Sequence, residues 1–378
     1  MPIVKPNLKE KAYGRDRDNR QDVKWSHPEL VKWWVAGNAD MIDMLCDDSV
    51  PLEKRKKRLE KLTAASVEMY KSKGFDPFAG TDSKEEGSNY GHLETFQIKG
   101  CPENPDEECT VSAMITNEKS EKPRPVIFYV MGGAFFTHHP GLYNEILRWP
   151  KKFNCSIVVP HYSTPLDAQY PAQINQIHAG YQWMVENAEM LNIDPDNVVI
   201  FGESTGAHLA LCTAFRLKRY GYRPRGCVVN DPMVDDRNYF ESSKIIKDPC
   251  DATRAHIMFA AYVGWENTGT NYLGPEAFAN HASIDECKGL CPIFLNVGES
   301  DQDRDGTIEF AKKLYAARVP CSLHVWEGAA HATLYYARKT GMAERFWNNL
   351  YGDLQNCMQY DMRRPWAWDD ELDAGKTE

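Results

Sequence analysis

The segment that most constrains this chain is Gly202-Glu203-Ser204-Thr205-Gly206. It is preceded directly by the apolar run Val198-Val199-Ile200-Phe201 and followed directly by AHLALCTA, residues 207–214, which has helical character. A strand that becomes a helix across so short a bridge must turn sharply. The turn lifts the serine hydroxyl out at the carboxyl edge of a sheet. Two glycines suit such a turn, because neighbouring chain passes where a Cβ would otherwise sit. The helix start also supplies backbone N–H groups and the positive end of a dipole beside that hydroxyl.

The rest of the chain supplies a sheet for this turn to belong to. From His92 onward, strand-like runs recur: LETFQIKG, TVSAMIT, PVIFYVM, SIVVPHY, NVVIFG, GCVVND, PIFLNVGES and SLHVWEG. From about Pro171 they alternate with helical stretches such as AQINQIHAGYQWMVENAEML, GAHLALCTAFRLKRY and GTIEFAKKLYAARV. Two strands with little helix, followed by β-α-β-α order, predict an α/β fold. Its sheet would be mostly parallel with an antiparallel edge, covered by helices on both faces. Residues 1–94 read instead as helix and loop, with helices expected in HPELVKWWVAGNADMIDMLC and PLEKRKKRLEKLTAASVEMYKSKG. Residues 95–362 form the expected core, residues 236–270 an aromatic and charged insertion over the sheet edge, and residues 363–378 an acidic tail.

A serine hydroxyl is a weak nucleophile unless a base takes its proton and a carboxylate orients that base. Downstream of Ser204, the strand PIFLNVGES ends at Asp301-Gln302-Asp303-Arg304-Asp305, and SLHVWEG is followed by Ala329-Ala330-His331. Both stations lie just past strand ends, in the chain order serine, acid, histidine. Met131-Gly132-Gly133-Ala134-Phe135 follows PVIFYV as a loop of mostly small residues whose N–H groups could face an oxyanion.

These stations together resemble the hormone-sensitive-lipase-like branch (bacterial HSL, family IV) of the α/β-hydrolases, from about residue 95 to 350. MGGAF corresponds to that family's H-G-G-G-F loop and GESTG to its G-D-S-A-G elbow. Tyr162-Ser163-Thr164-Pro165-Leu166-Asp167 takes the place of Y-R-L-A-P-E, followed by the shared Tyr170-Pro171-Ala172. Asp194-Pro195, Tyr272-Leu273-Gly274, the segment SDQDRDGTIEFAKKL and His331 continue the register. The resemblance implies an α/β-hydrolase fold with a helical cap made of the N-terminal helices and the insertion. It also implies a carboxylesterase triad of Ser204, Asp301 and His331, with oxyanion donors at Gly133, Ala134 and Thr205. Met131, Phe135, Trp34, Tyr239, Phe240 and Trp265 are then candidate walls of the substrate pocket. Four departures stand out: Met131 for the family histidine, Ala134 for its third glycine, Ser163 for its arginine and Gln176 for a common aspartate. Together they point to a specialised substrate, and the added methyl of Ala134 with the aromatic candidate walls points to short acyl groups.

Composition narrows the partners. With 44 basic against 54 acidic residues the net charge is −10, a field that opposes nucleic-acid binding. No run approaches the ~18 apolar residues of a membrane span. The charged start MPIVKPNLKEKAYGRDRDNRQD lacks the apolar core of a secretory signal. Eleven cysteines with no repeating framework favour reduced thiols and a cytoplasmic location. Cys287/Cys291 and Cys101/Cys109 lack the partner pair a zinc site needs, so neither metal nor organic cofactor is expected. A homodimer is left open. Two other readings of the same scaffold also stay open at this point. One is a biosynthetic enzyme of lactone formation, acyl transfer or elimination. The other is a non-catalytic ligand receptor like the plant gibberellin receptors, a branch that has lost the histidine present here as His331.

Overall fold

In the computed structural model, the described residues are 27, 29–30, 45–47, 49–72, 91–116, 120–136, 145–146, 148–246 and 252–363. The first expected helix, with Trp34, and the acidic tail after Arg363 lie outside them. The second expected helix is present as α1 (Leu52–Ser72).

All eight strand-like runs form strands: β1 (Gly91–Lys99), β2 (Glu108–Thr116), β3 (Arg124–Val130), β4 (Ser156–Pro160), β5 (Ile193–Glu203), β6 (Gly226–Asn230), β7 (Ile293–Gly298) and β8 (Cys321–Trp326). They build one sheet in the order β1-β2-β4-β3-β5-β6-β7-β8. β1 and β2 form the antiparallel edge, β2 meets β4 antiparallel, and every pairing from β4 through β8 is parallel. The principal helices that follow are α2 (Ala172–Glu186), α3 (Thr205–Arg219), α4 (Ala252–Val263), α5 (Arg304–Ala316) and α6 (Gly341–Gln359).

Alternation along the central strands divides the apolar residues between two cores. Val126, Phe128 and Val130 of β3 join Val198 and Ile200 of β5 and Cys227 and Val229 of β6, under Ile174 and Ile177 of α2, Leu209 and Leu217 of α3 and Phe310 and Leu314 of α5. The intervening Ile127, Tyr129, Val199, Phe201 and Val228 face the other way, against Trp149 and Phe346, Leu350 and Leu354 of α6. Buried on both faces, these strands need unbroken apolar runs, which is how they read in the sequence. Each fully buried side chain of this size contributes about 1.5–3 kcal/mol. The central strands therefore form a rigid base from which the loops at their carboxyl ends project.

The turn after β5 sets the tightest steric demand. A Cβ on Gly206 would lie 2.2 Å from the Val130 carbonyl oxygen and 2.5 Å from the Met131 carbonyl carbon. Backbone atoms cannot swing aside as a side-chain tip can. Gly206→Ala is therefore expected to lower stability in urea titration by about 1–3 kcal/mol or more. Gly352 lies within α6, and a methyl added there would have nothing within 4 Å of it. Gly352→Ala should instead raise stability by about 0.5–1 kcal/mol through helix propensity.

Candidate active site

Ser204 is the pivot between β5 and α3, and its φ of 54° and ψ of −124° lie outside the ordinary regions for an L-residue. Its N–H donates to the Asn230 carbonyl at 2.9 Å and its own carbonyl accepts from His208 N at 3.0 Å, so the strained turn is held from both sides. Ser204 Oγ lies 2.8 Å from His331 Nε2. His331 Nδ1 lies 2.7 Å from Asp301 Oδ2. A carboxylate at Nδ1 holds a proton on that nitrogen, and in the neutral imidazole Nε2 then faces the serine hydroxyl as an acceptor.

The three crowded aspartates have separate surroundings. Asp301 is fully buried, reaches His331 and accepts from Asp303 N at 2.9 Å through its other oxygen. Asp303 is buried and accepts from Gln302 Nε2 at 3.1 Å. Asp305 accepts from Ser242 N at 2.8 Å and from Arg304 Nε, which ties the insertion to the start of α5.

A further acid, absent from the sequence-based expectations, stands behind the imidazole. Asp231 follows β6 with a φ of 48°. One of its oxygens accepts from Gly298 N at 3.1 Å, at the end of β7, and the other from Ala332 N at 3.0 Å, the residue after His331. It thereby joins the strand end that leads to Asp301 to the loop that carries His331. Burial disfavours a charged His331, but the carboxylates of Asp301, Asp231 and Asp303 outweigh it and raise the imidazole above its ordinary range. The cost falls on the acids: burial, and then the charge of Asp301, push both Asp231 and Asp303 upward. Asp231, Asp301 and His331 bring three metal-ligand atoms within 4.8 Å of one another. Both imidazole nitrogens already have partners, in Ser204 and Asp301.

The loop after β3 lies against the Ser204 turn. Gly133, Ala134 and Phe135 have φ values of 128°, 56° and 65°, so two non-glycine residues occupy the left-handed region. Phe135 N donates to Thr205 Oγ1 at 3.3 Å, and Thr205 is the first helical residue of α3. Glu203, the residue before the serine, was also not singled out from sequence. Its Oε1 accepts from Gly132 N at 2.9 Å and from the Tyr129 hydroxyl at 2.7 Å, while its buried Oε2 has no hydrogen-bond partner among the described residues. Burial dominates over those two donors and pushes the Glu203 carboxyl up to about 8.

Two expected pocket residues turn out to be core. Phe135 is 1% exposed, stacked on Tyr262 at 4.5 Å between ring centroids and edge-on to His208 at 5.5 Å. Met131 is 4% exposed and packs in the opposite core, the one that holds Tyr129 and Trp326. Phe135 reaches its layer from a left-handed backbone, whereas Met131 continues the alternation of Ile127 and Tyr129 into the other core. Tyr239 is exposed, with the Arg237 guanidinium over its ring, and Phe240 lies beside Gly306 at the start of α5. Trp265 is half-buried and edge-on to His256. Two departures from the family pattern prove to be partners: Ser163 N donates to Gln176 Oε1 at 2.6 Å, and Gln176 Nε2 donates to Ser163 Oγ at 2.8 Å.

The family described as the alpha/beta hydrolase fold matches residues 127–335, more than half of the chain. The chain belongs to the α/β-hydrolase fold family. Its resemblance to the hormone-sensitive-lipase-like branch is in keeping with the relatives found. Esterase LipU of Mycobacterium tuberculosis is 26% identical over 212 residues, covering 55% of this chain and 70% of the relative. An esterase of Acinetobacter venetianus is 26% identical over 227 residues, 60% of this chain and 67% of its own length. Among solved structures, bacterial heroin esterase superposes with a TM-score of 0.71 at 20% identity, over 89% of this chain and 99% of that one. Esterase LipW of Mycobacterium marinum superposes with a TM-score of 0.65 at 19% identity, over 90% and 98% respectively. At those identities the superpositions speak for the α/β-hydrolase fold. None of the helices among the described residues is long and apolar enough to cross a membrane. The cysteines among the described residues form no disulfide.

The buried acid before the serine gives this geometry an independent check. The folded state holds the Glu203 carboxyl near 8, above its ordinary 4.5. Its stabilising contribution is therefore complete below about pH 4.5 and is lost as pH rises through about 8. Relative to Glu203→Gln, which does not titrate, the urea midpoint of the native protein should fall steadily between about pH 5 and pH 9. A difference that stays flat across that window would contradict the burial of an ionisable carboxyl there.

Proposed function

We propose that this protein is a serine carboxylesterase that uses Ser204, His331 and Asp301 on a small carboxylic ester. The observation that carries the reading is the continuous hydrogen-bonded line from Ser204 Oγ through the imidazole to Asp301, at 2.8 and 2.7 Å. In this reading Ser204 Oγ attacks the ester carbonyl while its proton passes to His331 Nε2. The tetrahedral oxyanion is received by the N–H groups of Gly133, Ala134 and Thr205. His331 returns the proton to the departing alcohol and leaves an acyl-serine. A water molecule, deprotonated by the same nitrogen, then releases the acid and restores the hydroxyl. Asp301 fixes the tautomer and stabilises the imidazolium without taking the proton. No step needs a metal or an organic cofactor.

The test begins with a fluorophosphonate probe, which should label Ser204. Ser204→Ala should abolish labelling and lower ester hydrolysis by at least ~10³-fold in a folded protein. Asp301→Asn should cost ~10³–10⁴ in kcat through the wrong tautomer. Asp305→Asn should cost far less, since Asp305 serves the Ser242 N–H, and Asp303→Asn should also fall well short of Asp301→Asn. Equal losses at all three would remove Asp301 from the assigned role. A labelled protein that transfers the acyl group to an added alcohol in preference to water would favour the biosynthetic reading.

The acyl side is proposed to be short. Ala134 places a methyl on a left-handed residue of the loop, at a position whose N–H would receive the oxyanion. Accommodating a bulky acyl chain against it would cost about 1–3 kcal/mol, roughly 5- to 150-fold in specificity. Across p-nitrophenyl acetate, butyrate, octanoate and decanoate, kcat/KM should be highest at acetate or butyrate. Ala134→Gly should extend acceptance by a few carbons, and a native optimum at octanoate or longer would overturn the assignment.

A further inference from the structure

Three successive residues of the loop after β3 have positive φ, and two of them are not glycine. Left-handed alanine and phenylalanine are strained, so the conformation persists only where contacts impose it. The family pattern places a histidine at the head of this loop. Here that position is Met131, whose thioether side chain is buried in the core and offers at most a weak acceptor. The head of the loop is instead gripped at two successive residues. The Tyr162 hydroxyl donates to the Met131 carbonyl at 2.5 Å. One residue on, Gly132 N donates to Glu203 Oε1 at 2.9 Å, and Tyr129 OH holds the same oxygen from the end of β3 at 2.7 Å.

We infer that Glu203 is a positioning residue for the oxyanion-binding loop, a carboxyl that locks Gly132 to the residue adjoining the nucleophile. The register between attacking oxygen and oxyanion donors is then set within one short covalent path. Glu203 Oε1 takes N–H from the loop, the Glu203 backbone leads into Ser204, and Thr205 Oγ1 takes a second loop N–H from Phe135. The fit is also steric, because a Cβ on Gly132 would stand 2.3 Å from the Glu203 carbonyl oxygen. The loop can approach the turn this closely only as glycine, and once there it presents its N–H to the carboxyl. A neutral side chain with the same acceptor would serve equally, since Oε1 makes both contacts and, among the described residues, Oε2 makes none.

The inference rests on the esterase reading, and the experiment separates the two. Native protein, Glu203→Ala and Glu203→Gln would be compared for kcat and KM on p-nitrophenyl butyrate. Binding of a trifluoromethyl ketone, which forms a tetrahedral adduct, and the fraction of sites labelled by fluorophosphonate would be measured on the same preparations. Misaligned oxyanion donors predict that Glu203→Ala lowers kcat about 10- to 100-fold. KM should stay within about twofold, and ketone affinity should fall in parallel with kcat. Glu203→Gln should retain kcat to within a few-fold. A merely structural carboxyl would instead reduce the labelled fraction and leave kcat per labelled site unchanged, which would overturn the inference. If Glu203→Ala does not fold, Glu203→Asp carries the same reading, because it withdraws the acceptor from Gly132 N by about one bond length. Its kcat and ketone affinity should fall together, and native values for both would overturn the inference. A native protein that takes no fluorophosphonate at Ser204 overturns the esterase reading along with it.

Discussion

The site depends on the near-contact between two pieces of backbone, the end of β3 and the turn that leaves β5. Gly206 lies against the Val130 carbonyl and Gly132 against the Glu203 carbonyl, at separations that leave no room for a single methyl. The parallel pairing of β3 with β5 runs in register up to Val130 opposite Gly202. The two loops therefore depart from adjacent strand ends and have no slack in which to separate. Everything that follows is local to that seam: the strained serine, the left-handed loop and the first N–H groups of α3. The two apolar cores on either side keep the seam from opening, because β3 and β5 are buried on both faces.

Electrostatics at the site are shaped by an excess of acids over the single imidazole. Asp301 orients it, Asp231 fastens its loop, and Asp303 adds charge from a short distance. These carboxylates cannot all ionise cheaply in a buried setting, so the field that strengthens the imidazole as a base also raises the acids' own affinity for protons. Glu203 sits apart from this group, facing the phenols of Tyr129 and Tyr162 rather than a cation. Its proton affinity is governed by desolvation. Two kinds of buried acid thus lie on the two sides of Ser204, one set by mutual repulsion and the other by absence of water.

Much of this was legible in the residues. The strands were readable because doubly buried strands must be continuous apolar runs, as in Val126–Val130 and Val198–Phe201. The serine, acid and histidine stations were readable because each follows a strand end in a fixed order. Asp231 and Glu203 were not, because a carboxylate at a strand end looks solvent-exposed until the chain around it is placed. Nothing local to Asp231 announces that its two oxygens will meet N–H groups from residues 67 and 101 positions away. Phe135 and Met131 misled for a related reason. The direction of Phe135 depends on positive φ at Ala134 and Phe135, and that of Met131 on where the β3 alternation ends, neither of which composition reveals. Ser163 and Gln176 looked like two independent departures and became one feature only when β4 and α2 brought them together.

The stacking of Tyr262 on Phe135 bears on how such a protein can diversify. Tyr262 belongs to α4, within the segment that interrupts the alternating pattern, and its carbonyl accepts from Tyr170 N at 2.8 Å. The insertion is thus not an accessory laid over a finished catalytic base. One of its helices supplies part of the floor on which the loop after β3 rests. Exchanging the segment for that of a relative would remove a ring packed against the loop after β3. A change in that helix is therefore also a change in the support of the loop beside Ser204.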